Sequence, residues 1–228
     1  MGYKKSFRIT DNMCGLNRTI KPCGLLDILQ SVAGEHANLL GIGYEDLKIK
    51  GYAFVLARIK YDLYEPIISY EEIIVETTPL VPGRVDFDRD FEIFNKDGKL
   101  IGIATSKWII IDLNSRRICR SNIFTYPCDV REKGVYSSFE KLSFIDDFES
   151  GYSYLVRHND VDFIGHMNNT KYADALIYSG SVNHFEINFL HEVKLNEVLE
   201  IKYNENNFIG YIGDIVSFRA NCSYFKGE

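Results

Sequence analysis

Residues 24–43 have the sequence GLLDILQSVAGEHANLLGIG, which carries a strong helical pattern. Its apolar stripe recurs every three or four residues, at Leu25, Leu29, Val32, His36 and Leu39. Such spacing places these side chains on one side of a helix. Gly41 and Gly43 follow at once, and glycine commonly ends a helix. The stretch therefore predicts one long amphipathic helix that ends near residue 40.

Downstream of this helix, polar and apolar residues alternate, which is typical of strands with one buried face. In one run, Ile59, Tyr61 and Leu63 alternate with Arg58, Lys60 and Asp62. In another run the polar positions, which we expect to face solvent, are Asp86, Asp88, Asp90 and Glu92. The residues Asn95-Lys96-Asp97-Gly98 predict a hairpin turn into the strand at 100–112. One helix followed by antiparallel strands is typical of an α+β fold.

The second half of the chain repeats this plan. A strand near 152–157 leads through a loop to a helix that begins near Asn168. Further strands are predicted at about 185–193, 197–203, 208–212 and 215–225. The polar stretch between the halves has weak periodicity. We therefore predict an N-terminal domain (1–127), a linker (128–150) and a C-terminal domain (151–228), each domain with a long helix wrapped by an antiparallel sheet.

The two halves share a faint internal repeat. Arg8-x-x-Asp11 precedes the first helix as Arg157-x-x-Asp160 precedes the second. This register aligns Met13 with Asp162 and Asn17 with His166. If the halves are homologous, acid and base groups precede the helix only in the second half. The first half would then serve for packing, for the shape of the pocket and for binding, and the second half for acid and base chemistry.

Composition excludes several classes of protein. A net charge of −6 argues against a nucleic-acid binder. No apolar run is long enough to span a membrane, and the first ten residues have no signal-peptide core. The five cysteines are scattered without metal-ligand spacing, which favours buried free thiols. We therefore expect a cytoplasmic protein without a membrane or nucleic-acid partner, and without a metal or another cofactor.

Polar residues are most concentrated over residues 157–172, RHNDVDFIGHMNNTKY, between an apolar strand and an apolar helix. For any single residue here, helix capping by Asp or Asn is the simpler explanation. A helix needs one cap, however, and this segment offers two carboxylates, two His and three Asn. The whole segment is therefore a candidate for chemistry.

The residue types in this segment suit the hydrolysis of an activated acyl group. Backbone N–H groups at a helix start are unpaired and can stabilise an oxyanion. We therefore predict that Gly165, Asn168 and Asn169 bind substrate or oxyanion. Asp162 could orient or deprotonate a water, and His166 could hydrogen-bond to that water or to the substrate.

The residues Asp160-Val-Asp162-x-x-Gly165-His166-x-Asn168-Asn169-x-x-Tyr172 resemble the D-x-D-x-x-G-H-x-N-N-x-x-Y signature of the acyl-ACP thioesterases. Other segments are similar to the family in the same order: RTIKPCGLLDILQSVAGEHANLLGIG, RDFEIF, ATSKWIIIDLNSRRICR and EINFLHEVKLNEVLEIKY. The resemblance implies two tandem hotdog domains. It also implies hydrolysis of the thioester between a fatty acyl chain and the phosphopantetheine arm of acyl carrier protein.

By position, the resemblance implies three catalytic residues: Asp162, His166 and Glu192. The sequence departs from the plant members at two places. Ile164 stands where they have Asn, and Val193 stands where they have Cys. Val193 excludes a cysteine nucleophile there and favours a water activated by a carboxylate. For Glu192, a solvent-facing side chain beside Lys194 is the alternative to a catalytic role.

Arg116, Arg117 and Arg120 form a compact basic cluster just past a predicted strand. They belong either to a solvated turn or to a docking patch for acyl carrier protein, which is acidic. Two other functions stay open: an acyl-CoA thioesterase, and a non-catalytic acyl-binding protein. Ile164 favours the non-catalytic reading, whereas three titratable site residues oppose it. A monomer and a homodimer are both compatible with two domains in one chain.

Overall fold

The computed structural model describes residues 2–123, 125–144, 148 and 150–226. Its ten strands form one antiparallel sheet: β1 Tyr3–Arg8, β2 Tyr52–Leu63, β3 Glu72–Pro79, β4 Asp86–Asn95, β5 Leu100–Asp112, β6 Ser150–Leu155, β7 Val182–Phe189, β8 Val198–Asn204, β9 Asn207–Ile212 and β10 Ile215–Tyr224. The helices are α1 Pro22–Leu39, α2 Tyr44–Ile49 and α3 Asn169–Asp174. The predicted α+β class is confirmed. No helix in the described ranges is long and apolar enough to span a membrane.

The strand order shows that the two halves are built alike. The order is β1-β3-β4-β5-β2-β7-β10-β9-β8-β6, and each half contributes five adjacent strands. Read from the outer edge to the centre of the sheet, the order is β1-β3-β4-β5-β2 in the first half and β6-β8-β9-β10-β7 in the second, so corresponding strands occupy corresponding places. The halves join where β2 pairs antiparallel with β7, with Ile59 opposite Ile187. Both of these isoleucines are buried. One continuous core therefore runs across the junction.

Helix α1 begins and ends as the sequence predicts. Pro22 occupies the first turn, where its missing N–H costs no hydrogen bond. Leu25, Leu29 and Val32 are fully buried against the sheet, and each contributes roughly 1.5 to 3 kcal/mol by leaving water. Gly41 follows the helix with φ +67°, a conformation that glycine adopts without steric cost. The short helix α2 begins three residues later and is absent from the pattern prediction.

Helix α3 is shorter than the long second helix that we expect from the sequence. It begins as predicted, with Asn168 as its N-cap, but it has six residues and ends at Asp174. Ser179 and Gly180 follow soon after it, and β7 begins at Val182. Buried Tyr172 and Ala173 anchor α3, which packs against α1. Its stability comes from this packing, because isolated helices of that length are unstable.

The predicted linker packs closely over the sheet. Residues 131–144, here called the crossing segment, run over the face opposite α1 and touch the strands in their spatial order. These contacts are Arg131 to Glu92 of β4, Val135 N–H to Asp90 of β4, Tyr136 to Asp62 of β2, Lys60 of β2 to Ser138, Arg58 of β2 to Phe139, Leu142 N–H to Asn188 of β7, and Arg219 of β10 to Phe144. Residues 145–147 and 149 of the predicted linker lie outside the described residues.

The crossing segment corrects one prediction about β4. We expect Asp90 on a solvated face, but it is 1% exposed. Its Oδ2 accepts a hydrogen bond from Val135 N–H at 2.7 Å, and burial raises the pKa of Asp90. The alternation of side chains along β4 is correct, and the face that it assigns to solvent is covered by the chain itself.

Candidate active site

The loop between β6 and α3 is a tight turn with defined hydrogen bonds. Asp162 N–H donates to His166 O at 2.9 Å, and Gly165 N–H donates to Asp162 O at 3.0 Å. Gly165 has φ +89°, which a residue with a Cβ rarely adopts, so glycine is needed here for the turn. The Asp162 carboxylate accepts from Ile164 N–H at 2.9 Å and, at 3.4 Å, from His166 N–H. Asp162 therefore holds the loop through its Oδ1.

The same loop is fixed to the segment that follows β7. Met167 N–H donates to Val193 O at 2.7 Å, and His166 forms an antiparallel bridge with Lys194. This pairing brings Glu192 beside the loop, and His166 Nδ1 lies 3.2 Å from Glu192 Oε2. The alternation places Glu192 in the strand predicted at about 185–193, but β7 ends at Phe189 and Glu192 lies beyond it. Two of the three predicted catalytic side chains thus contact each other directly.

Arg116, predicted for carrier docking, reaches this site from the first half. Its Nη2 lies 2.7 Å from Glu192 Oε2, the same oxygen that faces His166. Arg117 and Arg120 are exposed nearby in sequence. The sequence predicts Arg116 in a basic surface cluster and does not reveal its contact with Glu192, because no local pattern links residues so far apart along the chain.

The three residues predicted for oxyanion or substrate binding have different roles in the structure. Gly165 N–H is already bonded to Asp162 O, which does not support an oxyanion role for it. Asn168 Oδ1 caps α3 by accepting from Thr170 N–H at 3.0 Å. Asn169 Nδ2 reaches Gln30 Oε1 on α1 at 3.5 Å, the upper limit for a hydrogen bond. The side-chain amide groups of Asn168 and Asn169 are therefore the donors of the three that could serve a substrate.

Tyr172 connects α3 to the Glu192 segment, which the sequence pattern did not reveal beyond its apolar position. Its hydroxyl accepts from Val193 N–H at 3.2 Å, and its ring packs edge-on against Phe189 and Phe218. Burial raises the pKa of Tyr172 to about 12, so it stays neutral. Tyr172 thereby fixes the backbone next to Glu192.

Ile164 occupies the position where the sequence resemblance implies an Asn. Its backbone N–H is used by the turn, and its side chain is 46% exposed. The side chain has no polar group to orient a water. Any such role must belong to a neighbouring group, and Asp162 is a candidate because its Oδ2 takes part in neither loop bond.

A cavity of about 250 Å³ lies in the first half, between α1, α2 and the sheet. Its wall is mainly apolar and aromatic, and includes Ala33, Ile42, Tyr44, Phe54, Arg89 and Trp108. The ring of Tyr44 packs edge-on against Phe163 of the His166 loop, with centroids 4.9 Å apart. The cavity wall and the loop that holds His166 are therefore in contact.

The first half contains a loop of the same shape. Gly15 N–H donates to Thr19 O at 2.9 Å, as Asp162 N–H donates to His166 O in the second half. Each loop also places a residue with positive φ one position before the acceptor. The structural counterpart of Asp162 is thus Gly15, and that of His166 is Thr19.

This match corrects the internal register predicted from sequence. The pairs of Arg and Asp residues suggest Met13 and Asn17 as the counterparts, whereas the hydrogen bonds move both positions two residues along the chain. The residue types predict the wrong register because the two turns share their backbone geometry but not their side chains. With glycine and threonine at these positions, the acid and base groups lie in the second half, as expected.

Within the described ranges, no group of three His, Cys, Asp or Glu side chains could hold a metal ion.

Comparison with known sequences supports the resemblance. Residues 1–122 match the model of the acyl-ACP thioesterase N-terminal domain. The chloroplastic oleoyl-acyl carrier protein thioesterase 2 of Arabidopsis thaliana is 26% identical over 199 residues, which is 78% of this chain and 53% of that protein. A chloroplastic oleoyl-acyl carrier protein thioesterase of Coriandrum sativum is 25% identical over 204 residues, 78% of this chain and 54% of that protein. The chain spans about half the length of these plant relatives.

Solved structures match over nearly the whole chain. A crystal structure of an acyl-ACP thioesterase from Bacteroides thetaiotaomicron has a TM-score of 0.83 and 25% identity, covering 97% of this chain and 96% of that one. The 12:0-ACP thioesterase from Umbellularia californica has a TM-score of 0.80 at 19% identity, with 97% and 96% covered, which shows the fold alone. The predicted tandem hotdog fold is thus confirmed. Since the family model covers more than half of the chain, the chain belongs to the acyl-ACP thioesterase family.

Proposed function

We propose that the chain hydrolyses the thioester of fatty acyl-ACP and releases a free fatty acid and the carrier thiol. The observation that carries this proposal is the contact of 3.2 Å between His166 Nδ1 and Glu192 Oε2. His166 belongs to a loop that touches the wall of an apolar cavity through Phe163. A proton-transfer pair beside an apolar pocket suits the hydrolysis of an acyl group.

In the proposed mechanism, Glu192 orients His166 through Nδ1 and leaves Nε2 to accept a proton from water. The water oxygen attacks the thioester carbonyl carbon and forms a tetrahedral intermediate. The C–S bond then breaks, and the sulfur takes the proton from His166. A carboxylate that holds an imidazole in one tautomer is a common device in hydrolysis. This assigns proton acceptance to His166, whereas the sequence predicted Glu192 or Asp162 for that role.

Asp162 and the nearby donors complete the proposed site. The Oδ2 of Asp162 is not used by the loop bonds and would orient the attacking water. The long contact of His166 N–H, at 3.4 Å, leaves this donor weakly held. We propose that it and Asn169 Nδ2 stabilise the oxyanion, in a site where oriented donors need no rearrangement.

The two ends of the substrate would bind on different parts of the chain. The acyl tail would enter the first-half cavity, whose apolar wall favours its removal from water. The acidic carrier would dock on Arg117 and Arg120, which are exposed beyond β5. A local basic surface is needed because the chain carries a net charge of −6.

Acyl-CoA is the second candidate substrate, because its phosphates are also anionic and would bind the same arginines. A non-catalytic acyl-binding role is less favoured. Such a protein gains nothing from a carboxylate and an imidazole held together beside a loop that touches the cavity wall.

The test is a hydrolysis panel with purified protein, in which each acyl chain length is offered on acyl carrier protein and on CoA. We expect turnover on both carriers, with a higher kcat/KM for the carrier protein. A preference for CoA at every length would favour the second candidate, and no turnover on either carrier would reject the hydrolase. The proposal also places the reaction in the cytoplasm, which fractionation of the source cells would test.

A further inference from the structure

The turn after β5 presents Arg116 in a defined position. Asp112 Oδ1 accepts from Ser115 N–H at 2.7 Å and from Asn114 N–H at 3.1 Å. Arg116 N–H donates to Asp112 O at 2.9 Å. Arg116 itself has φ +58°, a left-handed conformation that is unfavourable for a residue with a Cβ. The turn therefore keeps a strained residue in place, and strain of this kind tends to persist at functional positions.

The guanidinium of Arg116 and the imidazole of His166 share one acceptor. Arg116 Nη2 is 2.7 Å from Glu192 Oε2, and His166 Nδ1 is 3.2 Å from the same oxygen. The side chains of Arg116 and Glu192 are 50% and 35% exposed. An ion pair as open to water as this adds little to stability. Its effect is geometric, because it restricts the carboxylate to the orientation that faces His166.

We propose that Arg116 is a positioning residue, which acts through Glu192 to keep His166 oriented for catalysis. This rests on the proposed hydrolase function. It gives the first half a part in the catalytic apparatus, beyond packing and binding. It also separates Arg116 from its neighbours in the basic cluster, which do not contact Glu192 in the described part of the chain.

The first test uses two substrates: acyl-ACP, and the uncharged acyl-N-acetylcysteamine thioester of the same chain length. We expect Arg116→Ala to lower kcat on both by roughly ten- to hundredfold, because small misplacements of catalytic groups have effects of that size. Arg116→Lys should recover part of kcat, since it restores a cation near Glu192. The control is Arg84→Ala, an exposed arginine of the same half that does not contact Glu192. It should leave kcat on the small thioester unchanged.

A pure docking role would give a different result. Arg116→Ala would then raise KM for acyl-ACP and leave turnover of the small thioester at the wild-type level, which would overturn the proposal. A double-mutant cycle with Glu192→Gln adds a second criterion. If Arg116 acts through Glu192, its removal changes kcat little in the Glu192→Gln background. Multiplicative losses would mean that the two residues act independently, against the proposal.

An NMR measurement keeps this inference separate from the proposed reaction. The ¹⁵N signals of the His166 imidazole report its tautomer and its contact with Glu192. We expect Arg116→Ala to shift them in the same direction as Glu192→Gln does, and Arg84→Ala to leave them in place. If wild-type protein hydrolyses neither thioester, the proposed function fails, and these signals alone decide whether Arg116 positions Glu192. Unmoved signals in Arg116→Ala would overturn the inference even in an active enzyme.

Discussion

Arg89 Nη1 lies 2.9 Å from His36 Nδ1, and both side chains are buried where Arg89 borders the cavity. A guanidinium has only donors, so His36 must accept at Nδ1 and is neutral. Burial, and then the charge of Arg89, lower the pKa of His36 to about 4. This pair places a fixed cation beside a mainly apolar cavity and makes the fold around it sensitive to acid.

The first prediction concerns stability against pH. In the unfolded chain His36 titrates near its usual pKa of 6.5. Its contribution to the stability of the folded protein is therefore complete above pH 6.5 and is lost as pH falls towards 4. We expect the free energy of unfolding to fall by on the order of 1 to 2 kcal/mol between pH 6.5 and 5 from this group. Denaturant unfolding of wild type and His36→Asn at several pH values measures it. An identical pH slope in both proteins would contradict the assignment.

The second prediction concerns the catalytic side chains. Asp162→Asn, His166→Ala and Glu192→Gln should each lower kcat on acyl-ACP by roughly a hundredfold or more. Asp162→Asn is informative because the amide oxygen can still accept from Ile164 N–H, so the loop is kept while the charge is lost. Glu200→Gln, a change at an exposed acid on β8, is the control. Wild-type turnover in all three variants would show that the site is wrongly assigned.

The third prediction concerns the carrier. Arg117→Ala and Arg120→Ala should raise KM for acyl-ACP severalfold at low salt with little change in kcat, because charges at the rim mainly assist encounter. The difference from wild type should shrink as salt screens the interaction. Lys202→Ala, which removes an exposed cation on β8, serves as the comparison. An unaltered KM in both arginine variants would place docking elsewhere.

The fourth prediction concerns the cysteines. Only Cys222 of the five is buried, so the expectation of buried thiols is wrong for the other four. Burial nevertheless raises the pKa of Cys14 and Cys222, and burial with the nearby Asp174 raises the pKa of Cys23 to about 12. These thiols hold little thiolate at neutral pH and should react slowly. We expect iodoacetamide to leave hydrolysis largely intact. Complete inactivation that substrate prevents would place a cysteine in the pocket.

Local patterns predicted much of the fold. The stripe through Leu25 and Val32 gave α1, and alternation correctly buried Tyr61 while leaving Lys60 on the other face. The patterns failed where distant parts of the chain decide the outcome. Asp90 is buried by the crossing segment, whose polar composition indicates a solvated linker. The apolar pattern after Asn168 predicts a longer helix than the six residues of α3, which packs against α1. The domain boundaries themselves stay a prediction.

The candidate site was predicted to a similar extent. The motif predicts His166 and the family match predicts Glu192, which alternation alone assigns to a strand, and the structure brings these two side chains into contact. Neither could supply the third partner, because Arg116 meets Glu192 only after β5 and β7 take their places in one sheet. Such a contact between the halves has no periodicity, so it leaves no trace in a single sequence.

The crossing segment has a consequence for any attempt to divide this protein. Composition marks the stretch as the natural place to cut, yet Asn188 is fully buried with its Oδ1 bonded to Leu142 N–H, and Asp90 depends in the same way on Val135 N–H. If the chain were cut there and expressed as two fragments, buried polar groups would lose their hydrogen-bond partners in both fragments. The two hotdog units are therefore not independent modules joined by a flexible linker, because the segment that connects them covers part of the outer face of each.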